Sequence, residues 1–127
     1  MKKYILDTNV LLRFLLRDVE EHFKKARALF LEADGEKVKL IIPQIVVFEI
    51  QFALEKFYAL KKREAIEKIE SFISAKNFEI ESNQVFKEAV EIYKEKNLSF
   101  VDCFLIAKGR LENTPVFSFD RKLLLQN

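Results

Sequence analysis

The chain has 127 residues, half of them hydrophobic, with 13 Phe, no Trp and a formal net charge of +2. That length fits one domain over 1–127 with a real core, and so small a charge argues neither for nor against a nucleic-acid partner. The lone Cys103 excludes an intramolecular disulfide framework, and no apolar run approaches the ~18 residues of a membrane span, so the chain reads as a cytoplasmic protein without membrane attachment.

Tyr4, Ile5 and Leu6 predict a short buried strand over 3–6. The cap-rich Asp7-Thr8-Asn9 follows, then an apolar helical turn from Val10 to Leu16. Phe23, Ala26, Leu29, Phe30 and Ala33 share one face of an amphipathic helix over 21–33, which Asp34-Gly35 ends. Val38 to Ile42 predict a second strand, and Pro43 opens the next helix, where its missing N–H is harmless. That helix, over 44–60, is apolar around most of its circumference and is expected deep in the fold.

A Lys/Glu-rich amphipathic helix over 61–76, a short strand at Phe78-Glu79-Ile80 and a helix over 84–96 come next. Asn97-Leu98-Ser99 opens a helix from Phe100 to Leu111. Pro115 to Phe119 predict a last strand, and Arg121 to Leu125 a final turn. Helices alternating with short strands imply a parallel sheet covered on both faces, an α/β fold. In such sheets, sites form beyond the carboxyl ends of the strands.

Four acids stand out because each is embedded in an apolar stretch: Asp7, Glu49, Asp102 and Asp120. Asp7 and Asp120 each follow a predicted strand, Glu49 lies about two turns into a helix, and Asp102 lies in the first turn of another. Local explanations compete with a functional one. Ser99-x-x-Asp102 resembles a capping box, Asp120 is placed to cap the turn after it, and Asp7 competes with Thr8 and Asn9 to cap the first helix. Glu49 has no such role and would otherwise require a Lys or Arg partner. One shared explanation covers all four, a carboxylate cluster around a divalent cation. An all-oxygen set suits Mg²⁺ or Mn²⁺, while one His and one Cys far apart speak against zinc.

Other chemistries lack their residues. His22 is the only histidine and lies on a charged helix face, so a Ser-His-Asp or Cys-His site has no support. The chain has neither GxxxxGK[ST] nor GxGxxG. Carboxylate–metal chemistry remains, most often used to transfer phosphoryl or phosphodiester groups to water.

The motifs Ile5-Leu6-Asp7-Thr8-Asn9, Glu49, Phe100-Val101-Asp102-Cys103 and Phe117-Ser118-Phe119-Asp120, in this order, resemble the PIN domain. Length and motif order most resemble the VapC-type toxins of prokaryotic toxin–antitoxin pairs. The resemblance implies a three-layer α/β/α fold with a short four- to five-stranded parallel sheet, and Mg²⁺- or Mn²⁺-dependent endoribonuclease activity. By that resemblance Asp7 and Asp102 are the most direct metal ligands, and Glu49 and Asp120 complete the site. Asn9 would hold Asp7 and its waters, and Ser118 would line the pocket. It further implies an RNA substrate such as tRNA or rRNA, a cognate antitoxin and a homodimer.

In the implied mechanism the metal activates water and offsets charge on the scissile phosphate, and Asp120 or Glu49 orients the attacking water. Arg13, Arg17, Arg121 and Lys122 flank the acids and are candidates for RNA phosphates. The alternatives are a housekeeping RNA-processing PIN nuclease and a non-catalytic PIN-like binding module. A phosphatase of the haloacid dehalogenase type wants a second acid two residues after the first, where this chain has Asn9.

Overall fold

Three short parallel strands carry the first part of the chain. In the computed structural model, which describes residues 1–127, β1 (Lys2–Ile5), β2 (Val38–Ile42) and β3 (Phe78–Ile80) pair in the order β1-β2-β3. The register sets Lys2 against Val38 and Ile5 against Ile41, then Leu40 against Phe78 and Ile42 against Ile80. The middle strand is rich in branched aliphatics, as a strand covered on both faces must be. Its Leu40 and Ile42 are fully buried, a contribution of about 2 kcal/mol each from apolar area alone.

The chain divides into two compact units, Met1–Glu81 and Ser82–Asn127. The first holds the sheet together with α1 (Thr8–Leu16), α2 (Glu20–Asp34), α3 (Gln44–Phe52) and α4 (Lys62–Ile73). Aromatic contacts tie these elements together. Phe14 of α1 stacks on Phe23 at 5.2 Å and tilts against Phe30 at 4.7 Å, and Phe30 meets Phe78 of β3 edge-on at 5.0 Å. Leu11 and Leu12 of α1, Ile50 of α3 and Ile69 of α4 complete the buried face.

Helix α3 does not lie as deep as its composition predicts. Val46, Val47 and Ile50 are buried, but Ile45 is 64% exposed and Glu49 and Phe52 face solvent. Only one face is covered, because a helix turns about 100° per residue and apolar neighbours in sequence point in different directions. Pro43 offers no side-chain cap, and Glu81 instead accepts from the Gln44 N–H at 2.7 Å, a carboxylate where the helix dipole favours one. At its far end α3 widens into a π-helical turn, Ala53–Phe57, and stops three residues short of the expected end at 60. Ala59 then takes φ 53°, and the Leu60 N–H folds back to the Leu54 carbonyl at 2.9 Å.

The second unit is helical: α5 (Asn83–Glu95), α6 (Phe100–Leu111) and the short α7 (Arg121–Leu124). Phe86 of α5 packs on Phe100 and Phe104 of α6 at 6.1 and 5.0 Å, and Tyr93 meets Phe100 at 5.3 Å. Ala89, Cys103 and Ala107, all fully buried, let the two helices approach closely. Near the end of α6 the chain turns back on itself, and the Thr114 N–H donates to the Gly109 carbonyl at 2.8 Å. A Cβ at Gly109 would stand 2.6 Å from the Thr114 carbonyl oxygen, so only glycine fits this return.

The expected fourth strand does not form, and the ladder has three strands where four or five were expected. Residues 115–119 run without regular pairing. Pro115 has no N–H to donate, and the Asn127 side chain occupies Val116 on both sides. Asn127 Oδ1 accepts from the Val116 N–H at 2.8 Å, and Asn127 Nδ2 donates to the Val116 carbonyl at 2.9 Å. Phe117 and Phe119, expected in that last strand, are 84% and 94% exposed and pack edge-on against each other at 5.6 Å.

Candidate active site

None of the four acids is buried, contrary to what their apolar sequence surroundings suggested; the structure buries no charged or polar residue. Asp7, Glu49 and Asp120 are exposed and Asp102 is half-buried. The desolvation cost anticipated for them is therefore small, and each is open to a ligand from solvent.

Asp7 and Glu49 both lie in the first unit and are linked through Thr8. Asp7 leaves the carboxyl end of β1, whose ladder is extended by the Leu6 N–H donating to the Ile41 carbonyl at 2.9 Å. Glu49 sits on α3, which leaves the carboxyl end of the neighbouring β2. Parallel pairing of these strands sends both chains out at the same end of the sheet. The hydroxyl of Thr8, the residue after Asp7, then donates to Glu49 Oε1 at 3.1 Å. Asp7 Oδ1 accepts from the Val10 N–H at 3.1 Å and is the N-cap of α1. So Asp7 wins the capping role over Thr8 and Asn9, and Thr8 is free to hold Glu49. Each carboxylate spends one oxygen on these bonds and keeps the other. Neither is ion-paired, so the Lys or Arg partner that would have explained Glu49 structurally is not there.

In the second unit, Ser99 Oγ accepts from the Asp102 N–H at 3.0 Å and caps α6. Only this half of the expected capping box forms, and the Asp102 carboxylate takes no part in the cap. Asp120 is the N-cap of α7, its Oδ1 accepting from the Lys122 N–H at 2.9 Å. Ser118 Oγ accepts from the Asp120 N–H at 2.9 Å, which fixes the backbone that carries this acid. Neither unit by itself gathers three or more His, Cys, Asp or Glu side chains into a metal-holding group.

The basic candidates differ in how free they are. Arg13 is engaged by Asp18 at 3.0 Å and by the Tyr58 hydroxyl, and its Nε is buried without a partner. Arg17 grips Glu20 through two bonds of 2.9 and 3.1 Å and lies 4.2 Å over the Phe23 ring. That hydrogen-bonded guanidinium holds the Glu20 carboxyl below the usual carboxylate range. Arg121 and Lys122 are exposed and beside Asp120. Asn9 is exposed and lines a groove with Asp7 between α1 and α2. Thr8 escaped notice as a site residue, and no local pattern announces a hydrogen bond that spans 41 positions.

Parallel strands leading to two carboxylates without ion pairs at one end of the sheet, in a chain whose motifs resemble the PIN domain, define a class. A PIN domain family model matches residues 4–125, nearly the whole chain, and the protein belongs to that family. Among characterised proteins, the VapC ribonuclease of Aquifex aeolicus is similar, 29% identical over 119 residues, which cover 93% of this chain and 87% of that protein.

Proposed function

We propose that this protein is a divalent-metal-dependent endoribonuclease and the toxin of a toxin–antitoxin pair. The observation that carries the reading is the Asp7–Thr8–Glu49 arrangement, two exposed carboxylates that carry no ion pair, the second tied by its hydrogen bond to the residue that follows the first. Family membership and similarity to a ribonuclease support it. The family match runs across both compact units, which supports a single working domain over 1–127.

The donor chemistry fits Mg²⁺ or Mn²⁺, since the four acids offer only oxygens and Cys103, the neighbour of Asp102, is fully buried in the core. Asp7 and Asp102 would hold the ion most directly, with Glu49 and Asp120 completing its surroundings, in part through water. When bound, such an ion lowers the pKa of water and neutralises charge on the scissile phosphate. Asn9 and Thr8 keep Asp7 and Glu49 oriented, and Ser118 keeps Asp120 in place. Glu49 or Asp120 accepts a proton from the attacking water as its oxygen bonds to phosphorus. The bond from phosphorus to the 3′ oxygen breaks, and the departing 3′ oxygen takes a proton from solvent water, leaving a 5′-phosphate and a 3′-hydroxyl. Arg121 and Lys122, both unencumbered, suit RNA phosphates; Arg13 and Arg17 would have to share existing partners.

An antitoxin and a second copy of the chain are the proposed protein partners. Large apolar side chains left on the surface support such contacts, among them Ile45, Phe52 and Phe57 in the first unit and Val101 and Leu105 in the second. No helix is long and apolar enough to cross a membrane.

Incubation with a structured RNA mixture including tRNA, in Mn²⁺, Mg²⁺ or excess EDTA, tests the reading. Discrete cuts that require metal and vanish in Asp7→Asn and Asp102→Asn are expected. Cuts that persist in both variants, or metal retention without any cleavage, would contradict it.

A further inference from the structure

His22 found no role in the sequence, yet the structure turns it and Lys25 toward the same groove as Asp7. That groove, about 360 Å³, runs between α1 and α2. Val10, Ala26 and Leu29 form its apolar floor, Asp7 and Asn9 close one part of it, and Arg13, His22 and Lys25 supply its basic groups. Building on the ribonuclease reading, we propose that His22 and Lys25 position the RNA strand, binding its backbone where it leaves the Asp7 carboxylate along this groove.

Charge and continuity carry the assignment. His22 and Lys25 lie three residues apart on α2, and side chains at that spacing share a helix face. His22 is exposed and engages no other side chain, so its ring N–H is available. Lys25 has only Glu21, at 4.0 Å with both side chains mostly exposed, an ion pair that is released at little cost. Arg13, anchored by Asp18 and Tyr58, brings a third basic group to the opposite wall. Of the groups lining the groove, only Asp7 is acidic, and its charge is committed to the metal when one is bound. An apolar floor between basic walls suits a single strand, with ribose and base faces below and phosphates at the rim. Because Asp7 itself lines the groove, a strand bound in it passes beside the carboxylate proposed to hold the metal.

Equilibrium binding of a labelled single-stranded oligoribonucleotide tests this, in EDTA so that nothing is cleaved, over a range of KCl concentrations. Lys25→Ala, His22→Ala and the double variant are compared with wild type and with Lys37→Ala, an exposed lysine outside the groove. We expect several-fold weaker binding for each single variant and a larger loss for the double. Lys25→Ala should also flatten the salt slope by about 0.7, the value for one lost phosphate contact on a single strand. In cleavage assays KM should rise and kcat stay near wild type. Wild-type affinity and slope in the double variant would overturn the proposal. So would unchanged RNA binding accompanied by lost affinity for a co-expressed neighbouring protein, which would make the groove a protein-docking face. Groove-dependent RNA binding by a protein that never cleaves RNA would uphold the proposal while removing the ribonuclease reading. Both side chains are exposed, so the variants should keep the wild-type melting temperature.

Discussion

Thr8 donates its hydroxyl proton to Glu49 Oε1 at 3.1 Å, across 41 residues of sequence, and so links the start of α1 to the middle of α3. The bond ties Glu49 to the residue that follows Asp7 without neutralising either carboxylate. Replacing Thr8 with Val keeps the shape and deletes the donor. Stability should fall by no more than about 1 kcal/mol, because the bond is exposed. Activity or metal affinity should fall by on the order of 10- to 100-fold, as when a supporting partner of a ligand is lost. Thr8→Ser should recover most of it. Metal titration and cleavage rates on the three proteins check this, and equal function in Thr8→Val would show that the bond only packs.

Asp7 caps α1 with one oxygen and leaves the other free, so its structural and chemical roles separate by substitution. Asn caps as well as Asp but carries no charge. Asp7→Asn should therefore melt near wild type while losing metal-dependent cleavage. Asp7→Ala should lose cleavage and also about 1 kcal/mol of stability. Denaturant titrations of the two variants read the difference directly.

At α6 the two roles already belong to different residues. Ser99 caps the helix, and the Asp102 carboxylate stands apart from the cap. Ser99→Ala should cost about 1 kcal/mol and leave the metal site's chemistry intact. Asp102→Asn should reverse that pattern, with stability unchanged and cleavage lost. Finding Asp102→Asn strongly destabilised would assign its carboxylate a packing role instead.

Gly109 is required by geometry, since a Cβ there would sit 2.6 Å from the Thr114 carbonyl oxygen. Gly109→Ala should cost about 1–3 kcal/mol, the range for forcing an extra methyl group into a closed space. Thermal unfolding of the variant measures it, and a wild-type melting temperature would show that the turn at 112–115 gives way freely.

Much of the fold is legible in the sequence where periodicity and punctuation agree. β2, β3 and α6 fall on the predicted residues, and Ser99 is the cap its position suggests. The misreadings have physical causes. The end of α3 carries no Gly or Pro, so nothing local signals the π-helical turn or the positive φ at Ala59. Alternation in Val116-Phe117-Ser118-Phe119 imitates a strand, but Asn127, eleven residues from Val116, takes up the backbone bonds a ladder would need. Burial of the acids was inferred from their sequence neighbours. Phe48 and Ile50 are partly or wholly covered while Glu49 between them is not. Residue type and order single out the four acids in the sequence; nothing there signals the Thr8 link, because only the folded sheet brings its partners together.

Isothermal titration of Mn²⁺ into wild-type protein and into Asp7→Asn, Glu49→Gln, Asp102→Asn and Asp120→Asn tests the central claim most directly. Saturable binding by the wild type, weakened in all four variants and most in Asp7→Asn and Asp102→Asn, is the predicted result. Absence of binding by folded wild-type protein, or affinities unchanged in Asp7→Asn and Asp102→Asn, would contradict a carboxylate-held metal at this site.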